Sequence, residues 1–279
     1  MNTSVPRFAP HTSAVEIVWH YVLRTLNVAV LLFLIVPILA IVPLSFNENT
    51  FLIYPIHHFS MRWYHNLFTS RDWLRAAGNS FIVAPLATVF ATVLGTLAAL
   101  GLNRATFKGK GLLIGMLISP MIVPVIVTAV GMYLVFARWS LADSYVGLIM
   151  GHTAIAAPFV VVTVNATLAG FNHNYVRASL SLGAPPLKTF FWVTLPIIAP
   201  GVISGALFAF AASFDDVVIT LFLAGPTQGT LPLQMFNGIR ENITPTIAAV
   251  ATILIVFSSL LLLTMEWLRS RSAARQQGQ

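Results

Sequence analysis

The chain has 279 residues, of which 57% are hydrophobic and only 8% charged, with a formal net charge of +7; ordinary globular proteins carry about 25% charged residues. That composition excludes a pair of water-soluble domains and points to a membrane protein. The absence of cysteine also excludes disulfides and thiolate metal sites.

Charge-free stretches run from Thr25 to Asn47, Ala76 to Asn103, Gly111 to Ala137, Ser144 to Val176, Thr189 to Phe214 and Asn242 to Met265. Each reaches the roughly 20 residues that a spanning helix needs. They predict an all-α membrane protein with six transmembrane helices over residues 25–268, an N-terminal tail at 1–24 and a C-terminal tail at 269–279. The first stretch exceeds the roughly 7–15 apolar residues of a secretory signal and runs on without a small-residue cleavage site, so it is expected to remain as an anchor.

Between the first two spans, the segment from Asn47 to Asn79 is polar enough to lie at the interface. It includes a short amphipathic helix, and Trp63, Tyr64 and Trp73 suit the headgroup zone. The next loop, residues 102–111, is a brief turn with two glycines and three basic residues, Arg104, Lys108 and Lys110. Tails and loops on one side, including those at 102–111 and 169–198, hold Arg7, Arg24, Arg104, Lys108, Lys110, Arg177, Lys188, Arg269, Arg271 and Arg275, ten of the fifteen basic residues. The positive-inside rule then puts both termini in the cytoplasm. The net positive charge follows from that bias and from attraction to anionic lipid headgroups. No nucleic-acid motif accompanies it.

The segment from Phe171 to Pro200 is too long for a plain turn and too patterned for disorder. Val176 to Leu182 makes about two helical turns, Gly183 suits a C-terminal cap, and Pro185–Pro186 opens a second helix that Leu195–Pro196 turns into the fifth span. This predicts a cytoplasmic helix-turn-helix, about 171–198, between spans four and five. It exposes large apolar side chains and carries few charges, the mark of a partner surface.

In the fifth span, Asp215 and Asp216 are the only charges between Lys188 and Arg240. If the helix starts near Ala199, Asp215 lies about 24 Å along it. An ionised carboxylate facing lipid there costs on the order of 2.5–3.5 kcal/mol, so each needs a cavity, a partner or a hydrogen-bond donor. Neighbours about 100° apart on a helix do not share one environment. Two roles stay open: lining a path for a cationic solute, or bonding neighbouring helices together with Ser213 and Thr220.

Other polar residues point less sharply. His152 fits hydrogen-bonded packing better than proton relay, since its span holds no second ionisable group. Asn165 could bond a neighbouring helix, and Met116, Met121, Met132 and Met150 suit core filling. Trp63, Trp73 and Trp139 are simpler as interfacial anchors than as a cation box. Gly111-x-x-x-Gly115, Gly147-x-x-x-Gly151 and Gly201-x-x-x-Gly205 permit close helix approach. Pro37, Pro85, Pro120, Pro124 and Pro158 would loosen or kink their helices. No H-E-x-x-H, G-x-S-x-G or P-loop occurs, so no catalytic set, metal site or ATP site of the chain's own is expected.

The helix-turn-helix resembles the cytoplasmic loop of the membrane subunits of bacterial ABC importers, whose pattern is Glu-Ala-Ala, three residues, Gly, then about ten residues to Leu-Pro. Gly183-Ala184 and Leu195-Pro196 match, while Arg177-Ala178-Ser179 stands where Glu-Ala-Ala is usual and reverses one charge. SFDDVVITLFLAGP, TLPLQMF, FSMRWYHNLF and NRATFKGKG resemble the spermidine/putrescine branch of these permeases. The resemblance implies a non-enzymatic permease subunit in the bacterial inner membrane. Its implied partners are a second permease, a cytoplasmic ATPase dimer that uses ATP, and a periplasmic or extracellular solute-binding protein. It also implies that Arg177, Ala178, Leu182, Gly183, Ala184, Leu187, Leu195 and Pro196 couple to the ATPase. Asp215, Asp216 and Ser213 are then candidates for the path of a small cationic solute, a polyamine first. The alternatives are an opine, amino-acid-like or anionic solute on the same frame and, from other classes, a passive channel or a membrane enzyme.

Overall fold

A computed structural model describes residues 13–241 and 243–277, with side chains for all of these except residues 14, 261–262 and 265–277. Arg7 and the side chains of Arg269, Arg271 and Arg275, used above for orientation, lie outside the described residues. The chain divides into two units, one built from the chain up to Asn66 with Ile243–Val256, the other from Leu67–Asn242 with the chain from Phe257 on.

In the first unit, helix α1 (Ala14–Leu44) starts well before its apolar stretch. Ser13 and Glu16 form a reciprocal cap: the Ser13 hydroxyl accepts the Glu16 N–H at 3.2 Å and the Glu16 carboxylate accepts the Ser13 N–H at 2.9 Å. Residues 14–24, assigned to a tail on hydropathy, are therefore helical. None of the described side chains of α1 is fully buried within the chain.

After α1 the chain is irregular until α2 (Arg62–Thr69), the short amphipathic helix expected before the second span. Trp63 is buried and its Nε1 donates to the Asn47 carbonyl at 2.7 Å, while the Tyr64 and Ser45 hydroxyls lie 2.7 Å apart. Trp63 thus closes the fold of its own loop and does not anchor in headgroups. Trp73, in the second unit, is likewise buried, whereas Trp139 is exposed.

The second unit contains α3 (Arg71–Arg104), α4 (Lys110–Ile122), α5 (Val125–Arg138) and α6 (Tyr145–Ala169). They are followed by α7 (Asn174–Ser181), α8 (Pro186–Thr189), α9 (Leu195–Phe214), α10 (Val218–Leu223) and α11 (Leu231–Glu241). The last helix, α12 (Pro245–Gln277), belongs in part to each unit. Among the described residues, four helical rods are long and apolar enough to cross a membrane: Val15–Leu44, Arg71–Arg104, Tyr145–Ala169 and Pro186–Phe214.

The expected third span is not one helix. It is the pair α4 and α5, bent by 106°. Pro124 bars its predecessor from helical geometry, and Val123 accordingly has φ −70° and ψ 136°. Counting that pair as one span gives five. The last helix, α12, runs on to Gln277, and its charge-free part from Pro245 to Met265 reaches the roughly 20 residues of a full span. Among the described residues, length and composition give four spans, or five with the bent pair.

α3, α6 and α9 form the centre of the second unit through small side chains: Ala91, Ala99, Ala156, Val160, Val164, Ile198 and Ala209. Lipid tails are as apolar as leucine, so helices gain little by burying apolar surface and associate through close van der Waals contact. Glycine supplies that closeness. A Cβ on Gly95 would stand 2.7 Å from Val160 Cβ, one on Gly205 would stand 2.9 Å from Val160 Cα, and one on Gly201 would collide with the Thr167 hydroxyl. Gly147 and Gly151 are similarly pressed, against Leu141 and Leu223. Gly111 and Gly115 face open space, so that third spacing brings no helix close. A second cluster of Val83, Ala129, Leu148, Ile155, Ile219 and Leu223 brings α5 and α10 against α6. Met132 packs on it, while Met116, Met121 and Met150 are exposed and fill no core.

Candidate functional site

Two places in the second unit gather the residues singled out above. The first is the elbow between α7 and α8. Gly183 has φ +83°, its N–H donates to the Leu180 carbonyl at 2.9 Å, and the Ala184 N–H donates to the Ser179 carbonyl at 3.2 Å. That pair of bonds around a left-handed glycine is the Schellman arrangement, which satisfies the last carbonyls of a helix and turns the chain sharply. The Ser179 and Thr189 hydroxyls, 3.0 Å apart, tie the two arms together.

Folded this way, the elbow pushes Leu182 and Leu187 outward, 89% and 74% exposed. Arg177 and Ala178 are exposed on α7, and Ala184 is half-buried. Behind the elbow, a groove of about 320 Å³ is lined by Leu100 and Arg104 of α3, Val176 and Leu180 of α7, and Leu187 and Phe190. Pro186 opens α8, where its missing N–H costs nothing.

Leu195–Pro196 does not turn the chain. The residues Phe190–Thr194 form one wider, π-helical turn that joins α8 to α9, and Pro186–Phe214 runs on as a single rod of 29 residues. The widened turn spreads hydrogen bonding over an extra residue, which accommodates a proline at the second position of α9.

The far end of that rod is the second place. α9 stops at Phe214, so Asp215 and Asp216 stand at a break before α10 and not inside a helix. Their environments differ. Asp215 caps α9 through its N–H to the Ala211 carbonyl, 3.1 Å, and its side chain is exposed. The Asp216 side chain is only 8% exposed; it accepts the Thr220 N–H at 3.2 Å, and its Oδ2 lies 3.9 Å from His152 Nε2. Ser213 is buried with its hydroxyl 2.9 Å from His152 Nδ1. The structure thus brings Ser213, Asp216, Thr220 and His152 together and leaves Asp215 apart. Asn165 is exposed on α6.

Sequence reasoning missed a polar clasp next to this break. Asn79 of α3 is buried, its amide donates to the carbonyls of Thr227 and Gly229 at 2.9 and 2.8 Å, and it accepts the Tyr145 hydroxyl at 2.7 Å. Beside it the Ser80 hydroxyl accepts the Leu231 N–H at 2.8 Å. Together they hold the loop that leads from α10 to α11. An asparagine inside a charge-free stretch is the one signal that could have revealed it, since a buried amide must find partners. Among the described residues no group of three or more histidine or acidic side chains is placed to hold a metal ion.

Residues 91–276 match the family described as binding-protein-dependent transport system inner membrane component. The chain is 33% identical over 238 residues to the spermidine/putrescine transport system permease protein PotC of Escherichia coli strain K12, covering 85% of this chain and 90% of that one. It is 34% identical over 230 residues to the putrescine transport system permease protein PotI of the same strain, covering 80% and 82%. A crystal structure of a bacterial ABC transporter involved in alginate import shares the fold, with a TM-score of 0.75 over 93% of this chain and 99% of that one, at 13% identity. Fold, family match and relatives agree, and the chain belongs to the inner-membrane components of binding-protein-dependent transport systems.

Proposed function

We propose that this chain is one of two membrane subunits of an ABC importer for a polyamine, lying in the bacterial inner membrane with both termini in the cytoplasm. The observation that carries the substrate class is the identity to spermidine/putrescine and putrescine permeases along four-fifths or more of the chain. The partners are a second permease, an ATPase dimer and an external solute-binding protein.

The elbow supports coupling to the ATPase. Two leucines exposed on a rigid turn are costly in water and gain by entering a partner's apolar socket. Arg177, Ala178 and Ala184 flank that contact. From the elbow, the rod Pro186–Phe214 reaches about 43 Å at 1.5 Å per residue. Leu195 and Pro196 lie within it and pass a push at the elbow on to the break at Asp215. In this scheme ATPase closure tilts the rod, and the tilt alternates access to the path. Asp215, exposed at the rod's end, offers negative charge to a protonated amine, while Asp216 and Ser213 hold the break together.

The test is uptake of radiolabelled putrescine and spermidine into membrane vesicles containing the complete transporter, its binding protein and ATP. ATP-dependent uptake of either amine is expected, with no competition from opines, amino acids or small anions. Uptake of one of those competitors without uptake of polyamines would overturn the substrate class. Solute flux without ATP would overturn the importer scheme altogether.

A further inference from the structure

A helix that breaks inside packed protein leaves carbonyls at one stump and N–H groups at the other without intrahelical partners, and buried groups of that kind need others to bond. α9 ends at Phe214 and α10 opens at Val218. The Ser213 carbonyl thereby loses the N–H that a continued helix would bring it, and His152 of α6 takes that place. Its Nδ1 lies 3.1 Å from the Ser213 carbonyl oxygen and 2.9 Å from the Ser213 hydroxyl. A carbonyl can only accept, so Nδ1 carries the proton and Nε2 is the acceptor. The Thr220 hydroxyl, 3.1 Å away, donates to Nε2 and in turn accepts from the Thr230 hydroxyl at 3.4 Å. On the second stump, the Asp216 carboxylate accepts the Thr220 N–H at 3.2 Å.

We propose that His152 is the positioning residue of this break. It holds the end of α9 and the first turn of α10 at one fixed bend, and so fixes where Asp215 leaves the rod. Three features separate this role from space filling. The imidazole is fully buried, as is Thr220, with Ser213 and Thr230 only 3% exposed, so each polar atom there depends on the others. Its two nitrogens bond the two stumps, Ser213 on one side and Thr220 on the other, which a one-ended side chain cannot do. Around it, Gly151 lets Leu223 and Ile219 of α10 press against α6, which brings Thr220 within reach of the ring.

The transport consequence rests on reading Asp215 as the acid that meets the solute; the bend itself does not. The chain has no cysteine, so an introduced cysteine is its only thiol, and labelling is read on this chain after it is separated from its partners. Ile219, at 0% exposure in the first turn of α10, is the reporter, and Asp215→Cys is the control for reagent access. Each is carried by the full chain within the complete transporter in native membranes and timed for reaction with N-ethylmaleimide. Ile219→Cys is expected to react slowly beside His152 and about tenfold faster beside His152→Leu, which fills the space without a donor. It is expected to be intermediate beside His152→Asn, whose amide N–H can occupy the Nδ1 position and so keeps the Ser213 bond without the one to Thr220. Should the leucine variant fail to accumulate, His152→Gln replaces it, since that amide reaches the Nε2 position and misses Ser213. Equal protection by leucine and histidine, or by glutamine and histidine where glutamine stands in, overturns the proposal. Labelling needs neither solute nor ATP, so a chain that imports no polyamine would still give the pattern, and failure of the import reading is told apart from failure of this one.

Discussion

Substituting Gly205→Ala tests whether the α6–α9 contact is set by the missing side chain. The added Cβ would meet the Thr163 hydroxyl and come within 2.9 Å of Val160 Cα. Neither neighbour yields easily. Thr163 donates its hydroxyl to the Phe159 and Val160 carbonyls at 3.0 and 3.1 Å, which fixes its rotamer, and Val160 offers backbone. The helices must move apart, across a contact whose strength is close packing and little else. Overpacking of this kind costs about 1–3 kcal/mol, which for a domain of this size lowers Tm by about 2–4 °C per kcal/mol. Gly115→Ala is the matched control, because its Cβ meets nothing within 4 Å, and a helix gains slightly from alanine over glycine. The assay is thermal unfolding of the purified chain in mild detergent, followed by size-exclusion fluorescence. Gly205→Ala should unfold several degrees below the native chain, and Gly115→Ala at or above it. Equal shifts for the two would refute the close-packing argument.

Asn79→Leu strands two carbonyls and the Tyr145 hydroxyl, at a cost of about 1–3 kcal/mol; limited proteolysis should then cut first within residues 225–231. Asp216→Ala removes the acceptor for the Thr220 N–H and should destabilise by about 1 kcal/mol in the same thermal assay. Asp215→Ala should leave Tm unchanged and lower amine uptake at matched membrane levels, and equal thermal losses in the two variants would refute the division between them. Leu182→Asp, at a side chain 89% exposed, should alter stability by no more than about 0.5 kcal/mol yet abolish stimulation of the ATPase. Full stimulation in that variant would remove the elbow from the coupling path.

Much of this architecture could be read from the chain alone, because lipid imposes a simple code. An apolar run of sufficient length has to be helical, and a charge within it has to find a partner. Hence the helices at Arg71–Arg104, Tyr145–Ala169 and Pro186–Phe214 were predicted to within a few residues at most ends. The Gly183 turn was equally legible, since its left-handed backbone is a property of a short local sequence. Tertiary structure decided what hydropathy cannot weigh. The bend at Val123–Pro124 lies in a run as apolar as any continuous span, and the cap that starts α1 at Ala14 lies in polar sequence. Asp215 and Asp216 are alike in sequence, yet one is exposed and the other is held by Thr220 beside His152. His152 finds its partners 61 and 68 residues away, across three helices, and no local pattern encodes that meeting. Spans follow from the free energy of transferring each segment into lipid; sites follow from which polar groups the packed helices leave to satisfy one another.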